Sequence, residues 1–165
     1  MLNINDYIEE SVTDGPGVRL VLFLQGCPHH CKGCHNPQTW DFVDKYKITN
    51  EAVVEMLEYN PLIRGITISG GEPMCQDDEL WTLLKRLKEL DYSTIVYTGY
   101  TYDDVKDNKS IPYIDYLVDG RFDITKKSLD CLYRGSTNQR IIDVAKTREK
   151  GTVVEVDYNT FGQCV

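Results

Sequence analysis

Val18-Arg19-Leu20-Val21-Leu22-Phe23-Leu24 runs through Gln25-Gly26 into Cys27-Pro28-His29-His30-Cys31-Lys32-Gly33-Cys34. The first seven residues are almost continuously apolar, which suits a parallel strand covered on both faces. That strand delivers the chain into a loop carrying three of the six cysteines. Thiolates bind iron–sulfur clusters with one cysteine per iron, so three ligands in one short loop can wrap a four-iron cubane and leave one iron open. A closed zinc site needs a fourth ligand, which His29, His30 or His35 could supply, so zinc stays open as the alternative. A disulfide framework fits poorly, because these thiols are crowded while Cys75, Cys131 and Cys164 are scattered.

A second feature lies further along. Gly65-Ile66-Thr67-Ile68-Ser69 reads as a short buried strand, and it ends in Gly70-Gly71-Glu72-Pro73. Paired glycines at a strand end let backbone groups approach a ligand closely. By itself the segment would be an ordinary turn before a helix. Around it, strands and helices alternate. Thr49 or Asn50 caps a helix with Val53, Val54 and Leu57 on one face. Asp77, Asp78 and Glu79 place negative charge at the start of a helix that buries Leu80, Leu83, Leu84, Leu87 and Leu90. Thr94 to Thr98 and Tyr116 to Val118 supply two further strands. This order predicts an α/β fold, an open or partial parallel (β/α) barrel, since 165 residues fall short of the roughly 250 of a closed eight-stranded barrel. Sheets of this kind bind ligands at the carboxyl ends of their strands. The cysteine loop, the glycine pair and Thr98-Gly99 should therefore meet on one rim.

With these motifs in place, the chain resembles the radical S-adenosylmethionine superfamily, whose members carry C-x3-C-x2-C after one strand and Gly-Gly-Glu-Pro after the next. Asp14-Gly15-Pro16-Gly17-Val18-Arg19, Cys34-His35-Asn36-Pro37, Tyr97-Thr98-Gly99-Tyr100, Asp119-Gly120-Arg121-Phe122 and Arg134-Gly135-Ser136-Thr137-Asn138-Gln139-Arg140 are similar to segments of the glycyl-radical-enzyme activases. The short length and the last of these segments resemble the activases that serve anaerobic (class III) ribonucleoside-triphosphate reductases. The resemblance covers roughly residues 6 to 142.

It implies a [4Fe-4S] cluster on Cys27, Cys31 and Cys34 and S-adenosyl-L-methionine on its open iron, with Gly70 and Gly71 holding the amino group through backbone carbonyls. Glu72 would either hydrogen-bond nearby or fix the turn, and Thr98 would join from the third strand. Many members place an aromatic residue just before the third cysteine, where this chain has Gly33, so the adenine falls to Gly33, Cys34 and His35. The implied reaction is reductive cleavage of S-adenosylmethionine, followed by hydrogen abstraction from a backbone glycine of the large reductase subunit. A low-potential donor such as a flavodoxin supplies the electron. Activation of another glycyl-radical enzyme such as formate C-acetyltransferase is the alternative within this chemistry, and a non-enzymatic zinc or iron–sulfur interaction module is the alternative outside it. No general acid or base beyond the cluster ligands is called for, because proton transfer is not the difficult step.

Composition narrows the remainder. Eighteen basic against twenty-six acidic residues, a net charge of −8, argue against a surface that tracks phosphates, so no nucleic-acid partner is expected. No apolar run approaches the roughly 20 residues that span a bilayer, and no basic-apolar leader opens the sequence, so the expected setting is the reducing cytoplasm. One domain is expected over residues 1–165, with those after about 151 as a peripheral tail. His29 and His30 are expected as exposed loop residues. Cys75 and Cys131 are expected to be packed as small hydrophobes, and Cys164 to be an exposed thiol. The segments Asp119 to Phe122 and Arg134 to Arg140, with Arg134 and Arg140 as the charges, are candidates either for contact with the reductase or for bracing the last strand. Thr152 to Val156 reads as a strand of unassigned place.

Overall fold

The apolar strand that enters the cysteine loop lies near the middle of a seven-stranded sheet. The structure, a computed structural model, describes residues 1–161. The strands are β1 (Leu2–Ser11), β2 (Val18–Leu24), β3 (Tyr46–Ile48), β4 (Ile63–Gly70), β5 (Ser93–Tyr97), β6 (Tyr116–Asp119) and β7 (Arg140–Asp143), ordered β3-β1-β2-β4-β5-β6-β7. β2, β4, β5 and β6 are parallel, and the register of β2 on β4 runs from Val18 opposite Ile63 to Leu24 opposite Gly70.

Both flanks depart from the all-parallel sheet that the sequence predicts. β1 pairs antiparallel with β2 and β3, and β7 pairs antiparallel with β6. β1 lacks a sustained apolar pattern, because Asp6 to Glu10 are exposed and only its ends are buried. β7 has four residues, too few to show a period. Thr152–Val156 does not form a full strand: Glu155 bridges Ile142, and two backbone bonds, Asp143 N–H to Val154 O and Val156 N–H to Ile141 O, lay the segment beside β7.

The helices α1 (Asn50–Tyr59), α2 (Asp77–Glu89), α3 (Tyr102–Val105) and α4 (Val144–Lys150) cover one face of the sheet. α1 starts where Thr49 accepts the Ala52 N–H, and α2 carries Asp77, Asp78 and Glu79 in its first turn. Period-two alternation turns Leu20, Leu22, Leu24, Ile66, Ile68, Val96, Leu117 and Ile142 toward Val53, Leu57, Leu80, Leu83, Leu84 and Leu87. Val54 and Leu90, expected in this core, are only partly buried. On the opposite face Ile95, Val118 and Ile141 form a smaller cluster with Tyr97, Tyr116, Tyr133, Val156, Tyr158 and Phe161. Among the described residues, no helix is long and apolar enough to cross a membrane.

Candidate active site

The carboxyl ends of β2, β4 and β5 meet at a cavity of about 730 Å³, within the size range of small-molecule sites. Cys27, Cys31, Cys34 and His35 line it from the loop after β2, Gly70 and Gly71 from the end of β4, and Thr98 and Gly99 from the end of β5. The three strand ends thus converge on one rim, as the sequence predicts.

Local backbone contacts weld these loops together. Gly71 N–H donates to Leu24 O at 2.8 Å and Glu72 N–H to Gly26 O at 2.8 Å, so the glycine pair is zipped to the entrance of the cysteine loop. Side chains are excluded there: a Cβ on Gly71 would lie 2.3 Å from Gly26 O, and one on Gly70, whose φ is +92°, 2.4 Å from Leu24 N. Gly26 N–H donates to Thr39 O and Cys27 N–H to Trp40 O, which fixes the segment after the cysteines against the segment before them. Cys34 N–H closes a turn on Cys31 O.

Glu72 is fully buried, and its carboxylate meets four protein donors. Oε1 accepts from Met74 N–H at 2.9 Å and Thr98 Oγ1–H at 2.8 Å. Oε2 accepts from Gly99 N–H at 2.8 Å and His29 Nε2–H at 2.6 Å. The His29 side chain is only 4% exposed, so the expectation of a solvated His29 is corrected; a buried carboxylate needs donors, and this histidine is one. His30 is exposed as expected, and its ring stacks on Trp40 with centroids 4.6 Å apart.

The thiol environments differ. Burial pushes the Cys27 thiol up, and the backbone N–H groups of His29 and His30 pull it partly back. Burial and the neighbouring Cys34 raise Cys31, against the opposing backbone bond of Phe122 and charge of Arg121. Asn36 N–H donates to Cys34 Sγ at 3.3 Å. The thiols are spread along the wall; among the described residues no three His, Cys, Asp or Glu side chains gather closely enough to hold a single metal ion. Three soft donors on one wall, backbone N–H groups aimed at sulfur, and glycine backbone opposite are a set that fits a cubane and a small ligand beside it.

The other expected residues divide. Gly33 is exposed, with φ +77°, and lies outside the cavity lining, against Ile124 and Phe122. Glu72 does not line the cavity either. Thr98 does, although its hydroxyl is committed to Glu72. Arg134 and Arg140 turn inward: Arg134 lies over the Tyr158 ring at 4.2 Å and donates to Gln139 O, while Arg140 donates twice to the buried Asp119 carboxylate. Cys75 is exposed, contrary to the packed position expected of it: in the short 3-10 turn Pro73–Gln76 the buried positions are taken by Pro73 and Met74. Cys131 is partly buried and lines the cavity; Cys164 lies outside the described residues. Sequence reasoning gave no role to Trp40, nor to the cavity wall formed by Lys127, Ser128, Leu129 and Tyr133. Trp40 stands six residues after Cys34, and that proximity was the available signal.

Fold and site together define a one-cluster iron–sulfur enzyme on a partial α/β barrel. Residues 13–142 match the family described as the 4Fe-4S single cluster domain. The anaerobic ribonucleoside-triphosphate reductase-activating protein of Vibrio cholerae is 35% identical over 150 residues, covering 85% of this chain and 97% of that one. Its namesake from Enterobacteria phage T4 is 34% identical over 137 residues, 78% and 85% of the two chains, and that of Escherichia coli K12 is 32% identical over 148 residues, 84% and 96%. Among solved structures, QueE from Escherichia coli matches with a TM-score of 0.52 at 22% identity, over 61% of this chain and 53% of that one, a likeness of fold. The chain belongs to the family of anaerobic ribonucleoside-triphosphate reductase-activating proteins, radical S-adenosylmethionine enzymes whose cofactors are a [4Fe-4S] cluster and S-adenosylmethionine.

Proposed function

We infer that this chain activates an anaerobic ribonucleoside-triphosphate reductase by generating its glycyl radical, with Cys27, Cys31 and Cys34 holding the cluster. The observation that carries this reading is the placement of three thiols and the Gly70-Gly71 backbone on one cavity. When bound, the cluster would supply the electron for reductive cleavage of S-adenosylmethionine. The protein's own share is position. Gly70 and Gly71 present backbone carbonyls to the amino acid end of the ligand. Cys34 and His35, with Phe122 at 5.2 Å from the His35 ring, form the side that would take the adenine. Glu72 acts as the bolt between the three rim loops rather than as a ligand contact.

The reductase must bring a glycine-bearing loop to this cavity. The wall over residues 127–135 is its approach, where Leu129 is 95% exposed and Leu132 is exposed beside it. Arg134 and Arg140 brace that wall from within. A low-potential donor of the flavodoxin type delivers the electron in a reducing cytoplasm.

Anaerobic reconstitution, with iron and sulfide quantified, followed by reduction in the presence of S-adenosylmethionine and the reductase, tests this directly. Expected are 5′-deoxyadenosine by chromatography and a glycyl-radical signal by electron paramagnetic resonance, both reduced to background by Cys31→Ala. A colourless protein holding stoichiometric zinc after anaerobic expression would overturn it.

A further inference from the structure

The chain as a whole is acidic, yet the outer side of its cysteine loop is not. Residues 25–40 include Lys32 and no Asp or Glu, and residues 120–129 carry Arg121, Lys126 and Lys127 against Asp123 alone. The two segments touch: a Cβ on Gly33 would lie 2.6 Å from Ile124 Cδ1 and 3.4 Å from Phe122 Cε1. Lys32, Arg121 and Lys126 are exposed, lie outside the cavity lining and form no ion pair among the described residues. Two acids that feel these cations are engaged locally. Asp123 accepts from the Thr125 N–H and hydroxyl, and Asp104 from the Thr101 N–H and hydroxyl. Ile124, 43% exposed, adds an apolar group among the charges. The cover between this face and the thiols is thin. Lys32 and Gly33 are the two residues between Cys31 and Cys34, Gly33 brings no side chain, and Phe122 reaches the Cys31 thiol through a backbone hydrogen bond.

We propose that this outer face, with Lys32, Arg121 and Lys126 around Ile124, docks the electron donor, an acidic single-flavin carrier protein, and admits its electron past Cys31 and Gly33. The inference rests on the cluster assignment above. One electron leaves the carrier's flavin and one enters the cluster; no bond forms or breaks. The two partners then approach from different sides, the carrier on the outer side of the cysteine loop and the reductase on the cavity side over residues 127–135. Opposite charges steer diffusional encounter and raise the on-rate without a large interface, which suits a carrier that must leave after delivering one electron. Like charges oppose a second copy of this chain docking by the same patch.

The test uses anaerobically reconstituted protein, with iron and sulfide quantified, and a fully reduced acidic flavodoxin. Carbodiimide, which joins amines to carboxylates in direct contact, is expected to link the flavodoxin to Lys32 or Lys126, read by mass spectrometry. In stopped flow, the second-order rate of cluster reduction is expected to fall about tenfold as salt rises from about 50 to about 500 mM. Lys126→Glu is expected to lower that rate about threefold, and Lys32→Glu with Lys126→Glu about tenfold, at low salt. The extent of reduction by excess dithionite should not change in either variant. Rates that ignore both salt and the substitutions, or crosslinks confined to other lysines or to a second copy of this chain, would overturn the proposal while leaving the cluster assignment standing. Charge reversal that spares reduction by flavodoxin but abolishes the glycyl radical would assign the patch to the reductase and overturn the proposal as well. Failure to assemble any cluster would overturn the assignment and this inference with it. The crosslinks and the salt series need no variant, so a substituted protein that fails to fold does not remove the test.

Discussion

At the amino ends of β2, β4 and β5 the space between strands is filled by one side chain, whereas at their carboxyl ends it is left to backbone. Arg19 is 1% exposed, and its guanidinium makes five hydrogen bonds to neutral oxygens: Thr67 Oγ1, Pro16 O, Ser93 Oγ, Ile66 O and Ser93 O. The opposite end has Gly70, Gly71 and Gly99, with a carboxylate, Glu72, as its fastener. A cation holds the closed end and an anion the open end. The closed end is a plug that leaves no room; the open end is a bolt that keeps loops apart at fixed spacing around a cavity. Stability and function are thus assigned to different ends of the same strands, as is common for sheets whose ligand sites lie at the carboxyl edge.

The sharpest way to break this contrast is Arg19→Met. Desolvation already holds the Arg19 guanidinium down to about 10, with the charge of Asp115 opposing the shift, so the side chain is retained against a burial cost. Methionine removes the charge but strands the Ile66, Ser93 and Pro16 carbonyls. The expected loss is about 3 kcal/mol, roughly 6–12 °C in Tm for a chain of this size, measured by calorimetry on the cluster-free protein. An unchanged Tm would show that the plug contributes nothing net, as happens for some buried charges replaced by apolar groups.

Glu72→Gln tests the other end and is expected to cost less, about 2 kcal/mol, because only one oxygen is converted. Either orientation of the amide turns an NH2 toward two donors, the Met74 and Thr98 pair or the Gly99 and His29 pair. The distinguishing readout is functional: the cluster should still assemble, while 5′-deoxyadenosine production falls about tenfold as the rim loops lose their spacing. His29→Ala should reproduce much of this, and the double variant should be less than additive, since both act through one contact. Full additivity would separate His29 from the clamp.

The legibility of these two ends in the sequence was unequal. The open end could be read because its chemistry is local: cysteines at short spacing, paired glycines and a strand before each. Glu72 belonged to that motif, but its partners His29, Thr98 and Gly99 come from two other loops, and nothing in the spacing joins them. Arg19 was visible only as part of a family segment, since a charge inside an apolar strand is recognised as a plug only once Ser93 and Thr67 are seen around it. The parallel centre followed from hydrophobic runs and capped helices. The antiparallel flanks did not, because β1 is half exposed and β7 is too short for a pattern to emerge. Arg134 and Arg140 illustrate the same limit: an Arg-Gly-Ser turn does not show in sequence whether its charge faces a partner or an internal carboxylate such as Asp119.

Tyr97 links the two regions and should give the smallest effect. It leaves β5 at the cavity wall and donates its hydroxyl to Tyr133 O, tying down the wall proposed above as the approach of the reductase. Desolvation pushes its phenol up, the charge of Asp14 adds to this, and Arg19 opposes it from the closed end. The ordinary value is 10.0 and the folded value lies above it, so the neutral phenol's contribution is fully present below pH 10 and is lost as pH rises through the folded value. Between these limits the unfolded chain releases a proton that the folded chain keeps, and stability falls by at most about 1.4 kcal/mol per pH unit from this one group. Tyr97→Phe is therefore expected to lose about 1 kcal/mol at pH 8, from the missing bond to Tyr133 O, and to show a shallower decline than wild type between pH 10 and 11 in urea titrations. Parallel declines in the two proteins would place the alkaline sensitivity elsewhere and leave Tyr97 as a wall tether only.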